Sequence, residues 1–246
     1  MSRSNNTELV NPAIRFFDWS GQDGEVRYFD KTLGEKGQNV SVEMPFKFLA
    51  LDRVAQITGG IDRHGSFEGF WSNAVRNTKT QPFTVRSKAG VEVSGYYENI
   101  KNHPGVRFMQ GLYIAFYDDD KQLQIGFLKL KGAALSAWFD FTKTHRNIYE
   151  GAFGITDKTK QKKGATVYYA PVFEHYAKVS DEADEAAKQL DQKLQEYLTS
   201  YFAQVAPEQA MAATANGGSQ FYDNEPEMPE FSGTENEPVY TDEVPF

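Results

Sequence analysis

The chain has 246 residues, 40% hydrophobic and 14% aromatic, enough for one sizeable core or one domain with appendages. It has no cysteine, which excludes disulfides and thiolate zinc sites and suits a reducing compartment. The net charge of −8 is unevenly spread: residues 222–246 hold eight acids and no Lys or Arg, whereas residues 1–180 carry 24 basic against 19 acidic groups, or +5.

The N-terminal MSRSNNTELV lacks the apolar run of a signal peptide. No stretch approaches the ~20 apolar residues of a membrane span. A cytoplasmic protein with no membrane contact is expected. The segments 13–19, 25–31, 40–50, 82–88, 91–97, 106–117, 122–131, 147–156 and 166–177 are rich in β-branched and aromatic residues, and turn formers bound many of them. In 13–19 one face carries Arg15, Phe17 and Trp19. In 82–88, Phe83 and Val85 oppose Thr84, Arg86 and Lys88. In 106–117, Val106, Phe108, Leu112, Ile114 and Phe116 form a core face, and Arg107, Met109, Tyr113 and Tyr117 form a basic, aromatic one.

A short helix is expected at 133–143, followed by a hairpin whose loop, DKTKQKKG, carries Lys158, Lys160, Lys162 and Lys163. Strands, a short helix and a last hairpin fit a mainly β, OB-fold-like antiparallel barrel with extra strands. Residues 181–205 form the clearest helix. Ser180 is its cap and acids fill its first turn. Ala183, Ala187, Leu190, Leu194, Tyr197, Leu198, Tyr201 and Val205 form a stripe that docks on the barrel or serves a homodimer. After Pro207 order should fade into a linker and a disordered acidic tail. The expected division is 1–180, an ssDNA-binding OB-like domain; 181–205, an amphipathic helix; and 206–246, linker and partner-binding tail.

Chemical motifs give little. His64, His103, His145 and His175 lack metal-ligand spacing, and nucleophile-elbow, Walker and dinucleotide patterns are missing. Asp118-Asp119-Asp120 reads as a hairpin turn. No metal, cofactor or enzyme activity is expected. Basic residues interleaved with aromatics instead suit a single nucleic-acid strand: cations neutralise phosphates, and aromatic faces stack unpaired bases. The candidates are Arg15, Trp19, Trp71, Arg76, Lys79, Arg86, Lys88, Arg107, Tyr113, Tyr117, Lys129, Lys131, Lys143, Arg146, Tyr168 and the four lysines of the last hairpin. The stretch GFWSNAVRNTKT (69–80) joins Phe70 and Trp71 to Arg76 and Lys79.

The closing TDEVPF resembles the C-terminal tip of bacterial single-stranded DNA-binding proteins, with Asp242, Glu243, Val244, Pro245 and Phe246 in its places. Basic body, spacer and acidic tail also resemble bacteriophage single-stranded DNA-binding proteins built on an OB fold, as do NPAIRFFDWSG, GFWSNAVRNTK and KGAALSAW. The close match covers about six residues. The folded part is longer than the bacterial binding domain, and the 181–205 helix is not part of the bacterial pattern. The resemblance implies sequence-independent coating of single-stranded DNA in replication, recombination or repair, in the host cytoplasm if the chain is phage-encoded. It also implies recruitment of replication or recombination proteins through the tip. Rival expectations are a strand-annealing protein, an interaction protein with an acidic DNA-mimic tail, and a nuclease or other metal enzyme.

Overall fold

The computed structural model describes residues 9–176 and 178–215. The tip residues Asp242, Glu243, Val244, Pro245 and Phe246 lie outside the described residues. The elements in order are β1 (Arg15–Ser20), β2 (Glu25–Asp30), β3 (Gln38–Val42), β4 (Phe46–Arg63), β5 (Ser66–Gly69), β6 (Trp71–Ser72), β7 (Phe83–Ser87), β8 (Gly90–Gly95), α1 (Tyr97–Ile100), β9 (Val106–Tyr117), β10 (Leu123–Leu130), α2 (Gly132–Thr144), β11 (Ala152–Lys163), β12 (Thr166–Tyr176) and α3 (Asp181–Ala215). The fold is mainly β, with a short helix before the last hairpin and a long helix after it. Among the described residues no helix is long and apolar enough to cross a membrane.

The large sheet runs β12-β11-β4-β9-β10-β1-β2-β3, with β5 also paired to β4. Strands β12, β11, β4, β9 and β10 are neighbours in it, and α2 lies between β10 and β11 in the chain, an order compatible with an OB-type barrel once β5 to β8 and α1 are set aside. The sheet is mixed rather than antiparallel, because β1 pairs with β10 in parallel. These strands are far apart in the chain, so no hairpin turn forces them antiparallel. The Tyr169 amide donates to the Gly21 carbonyl at 2.7 Å, and Trp19 Nε1 donates to the Tyr169 carbonyl at 2.9 Å. Those bonds bring β12, one end of the strand order, to the β1–β2 turn, so the sheet curls toward closure.

The described residues divide into two compact units, 9–55 with 109–207 and 56–108 with 208–215. The boundary falls inside the stretch that the sequence suggests as one OB-like domain. In the first unit, Phe17, fully buried, packs its ring 4.7 Å from Phe46 and 4.9 Å from Phe116. Trp138 of α2 closes the core against Phe48, Phe153 and Phe173, at centroid distances of 6.5, 5.9 and 5.0 Å. Ser180 Oγ accepts from the Ala183 amide at 3.2 Å, which caps α3 as expected. Ala187, Leu194 and Leu198 of the expected stripe are buried within the chain.

Helix α3 continues past Pro207 to Ala215, where the sequence suggests fading order. Proline lacks the N–H that continues a helix, so a stop near 205 is the local expectation. In the second unit, burial of Ala212 holds the extra turns instead, with Glu208 reaching Arg86 as an ion pair. That unit is built on β5 to β8, α1 and the adjoining ends of β4 and β9. Phe83 and Val85 are fully buried there, and Tyr97 packs edge-on 5.1 Å from Phe108. Arg63 is its ionic hub, 2.5 Å from Glu92 and 3.3 Å from Glu68.

Candidate nucleic-acid interface

The lysines expected in a loop stand on a strand. Strand β11 runs to Lys163 and β12 starts at Thr166, so only Gly164 and Ala165 turn the hairpin. This corrects the basic loop into a basic two-stranded arm. DKTKQKK is hydrophilic and reads as a loop, yet each residue from Asp157 to Lys163 has a cross-strand partner. The ladder supplies the order that side-chain burial does not.

The register sorts the arm into two faces. Lys158 lies opposite Pro171, Lys160 opposite Tyr169 and Lys162 opposite Val167. Directly opposed residues project from the same face, so these three lysines share a face with the Tyr169 ring. Successive ones are ~6.8 Å apart along the strand, a spacing comparable with that of phosphates along a stretched strand. The other face carries Gln161 opposite Tyr168 and Lys163 opposite Thr166. Lys158, Lys160, Lys162 and Lys163 are exposed, and Tyr168 is half-buried.

The arm is anchored at its base. Lys158 Nζ donates to the Asp23 carbonyl at 2.6 Å and lies 4.8 Å from the Tyr169 ring centre. Gly24 sits beneath at φ +70°, and a Cβ there would fall 2.3 Å from Lys158 Cδ. Glycine is required here by both backbone and space.

The β1 face is inverted relative to the sequence reading. Phe17 and Trp19 are buried, while Ile14 and Phe16 are exposed. AIRFFDW is apolar in both phases, so alternation alone does not choose between them. Trp19 is a core residue whose indole N–H is engaged by Tyr169. Arg15 packs over the Tyr28 ring at 4.5 Å and pairs with Asp119. That hydrogen bond holds the Arg15 pKa above and the Asp119 pKa below their ordinary values. The three-aspartate segment forms the expected turn, with Asp118 Oδ1 accepting from the Asp120 and Gln122 amides.

Tyr113 is also buried rather than presented on an open basic and aromatic face. Its hydroxyl accepts from Asn11 Nδ2 at 3.3 Å and is hydrogen-bonded to Tyr197 of α3, and burial pushes its pKa far up. Tyr117, at the strand end, is exposed. Lys131 pairs with Asp18 at 2.8 Å. Lys129 is half-buried, with its Nζ 5.9 Å from the Phe16 ring centre. Phe16 and Tyr169 are the aromatic–basic neighbours that sequence reasoning missed; their signal was the register, which no local pattern carries. Lys143 pairs with Asp140 at 2.7 Å, and Arg146 is exposed.

In the second unit, Trp71 on β6 and Arg86 on β7 are cross-strand neighbours. Arg76, Lys79, Lys88 and Arg107 are exposed. Thr84 is buried, so only the Arg86–Lys88 end of the expected β7 face is open. The Arg76 and Asn77 amides both donate to Gln81 Oε1, which shapes the basic loop.

No family model, curated protein or solved structure compared with the chain matches it.

Proposed function

We propose that the chain is a non-enzymatic, sequence-independent single-stranded DNA-binding protein acting in replication, recombination or repair. The observation that carries this reading is the arm: Lys158, Lys160 and Lys162 share one face with Tyr169, on the hairpin that follows the helix of an OB-type strand order. In OB folds the connection between the last two strands is a recurrent oligonucleotide contact. Lys160 and Lys162, at alternate positions beyond the anchored Lys158, meet phosphates without reading bases, and an adjacent ring adds sequence-tolerant stacking. Asp242, Glu243, Val244, Pro245 and Phe246 would recruit partner proteins, an apolar ring entering a pocket beside a basic rim.

The test is binding of the full chain to fluorescein-labelled poly-dT, followed by anisotropy across a salt series. Affinity should fall linearly with salt on logarithmic axes. Absence of binding at low salt overturns the reading.

A further inference from the structure

The three-stranded sheet of the second unit has an unusual outer row. Trp71 lies opposite Arg86, and Arg86 lies opposite Val91, so the three residues cross β6, β7 and β8 on one face. Trp71 is 49% exposed and Val91 58%. The reverse face is occupied: Ser72, opposite Val85, accepts from the Ile57 amide at 2.8 Å, and Val85 is fully buried. Trp71 is therefore not a core residue placed at random on an edge. Of the three tryptophans in the chain, Trp19 and Trp138 are buried and Trp71 alone presents its ring.

An anion already sits on this row. Glu208 Oε1 lies 2.5 Å from the Arg86 guanidinium and is itself closed to solvent. Both side chains are 36% exposed. A single contact of this kind is a weaker tie than a bidentate one, and the phosphate competes for the same guanidinium. Lys88 stands exposed two residues beyond Arg86 at the β7–β8 turn.

We propose that Trp71 and Arg86 form a nucleotide subsite for single-stranded nucleic acid, in which a base stacks on the indole, its phosphate pairs with Arg86, and the Glu208 carboxylate is what the phosphate displaces. Lys88 meets a neighbouring phosphate, and Val91 offers an apolar flank to the sugar or base. The inference rests on the single-strand reading above and adds a second contact site, carried by the other compact unit. Aromatic ring, guanidinium and lysine in one short stretch of surface are complementary to a base with two phosphates.

The experiment uses the full chain and dT oligomers, reading labelled-oligomer anisotropy and intrinsic tryptophan fluorescence in parallel. Binding should quench the emission. Trp71→Ala should remove the quenching and weaken binding about tenfold. Arg86→Ala should lower the logarithmic salt slope by about 0.7, the value of one phosphate contact on a single strand. Glu208→Gln should tighten binding at low salt by about threefold, and the gain should vanish when combined with Arg86→Ala. A gain of affinity cannot arise from misfolding, so this variant keeps the test sharp. Oligomer binding with unchanged affinity and quenching in Trp71→Ala overturns the subsite while leaving the single-strand reading intact. Unchanged affinity in Glu208→Gln overturns the displacement. Absence of any anisotropy change at low salt overturns both the subsite and the single-strand reading.

Discussion

Lys158 and Tyr169 meet across the last hairpin, with the ammonium 4.8 Å from the ring centre while it donates to the Asp23 carbonyl. This contact divides the arm's lysines by task. Lys158 is committed to anchoring, whereas Lys160 and Lys162 continue the same face outward as exposed charges. Replacing both Lys160 and Lys162 with alanine should lower the logarithmic salt slope of poly-dT binding by about 1.4, two phosphates' worth, with the melting temperature unchanged. Lys158→Ala should instead destabilise by about 1 kcal/mol through the lost hydrogen bond. A double variant with the wild-type slope would move the DNA off the arm.

Trp19 should behave as a structural residue. Its indole N–H donates to the Tyr169 carbonyl, and its ring is 4% exposed. Trp19→Phe keeps an aromatic ring but orphans that carbonyl, at a cost of about 1–3 kcal/mol. Denaturant midpoints should shift accordingly, and poly-dT affinity measured well below the transition should not. Loss of affinity at full stability would place Trp19 in contact with DNA instead.

These cases show which features local pattern could carry. The α3 stripe was legible because helical periodicity and a serine cap are both local, and Leu194 and Leu198 are buried as that stripe requires. Strand β4 was cut short at residue 50. Its continuation LDRVAQITGGIDR mixes charges with two glycines, and Gly59 and Gly60 take φ values of +109° and +152° that break a regular strand pattern. The lysine arm looked like a loop because only a partner strand gives it order. Tyr113 looked open because the helix that meets it, through Tyr197, is more than 80 residues away in the chain. Register, phase and cover are long-range properties, and each was the point where pattern and structure parted.

Tyr113 predicts an alkaline limit to stability. Burial pushes its pKa far above the ordinary 10.0, whereas in the unfolded chain it ionises near that value. Above pH 10 the native state therefore holds a proton that the unfolded state has released. Its contribution is fully present below pH 10 and is lost as pH rises beyond it. Between pH 10 and pH 11 the loss from this residue is about 1 kcal/mol. Urea unfolding of the wild type and of Tyr113→Phe at the two pH values should show that difference, with the variant losing less. Equal losses would mean that Tyr113 ionises in the native state as readily as in the unfolded one.

The uneven charge predicts a competition that salt can tune. Residues 222–246 lie outside the described residues, but their eight acids against a +5 body are a property of the sequence alone. If those acids compete with DNA phosphates for the same cations, replacing all eight with Asn or Gln should tighten poly-dT binding. The gain should be largest at low salt, where the Debye length at 0.01 M is about 30 Å, and small at 1 M, where it is about 3 Å. The wild-type salt curve should then be the shallower of the two, because rising salt weakens the competitor along with the DNA. Charge-neutral substitution tests this more cleanly than truncation, since it leaves chain length and the Phe246 ring in place. Parallel salt curves with no offset would assign the acids to partner binding alone.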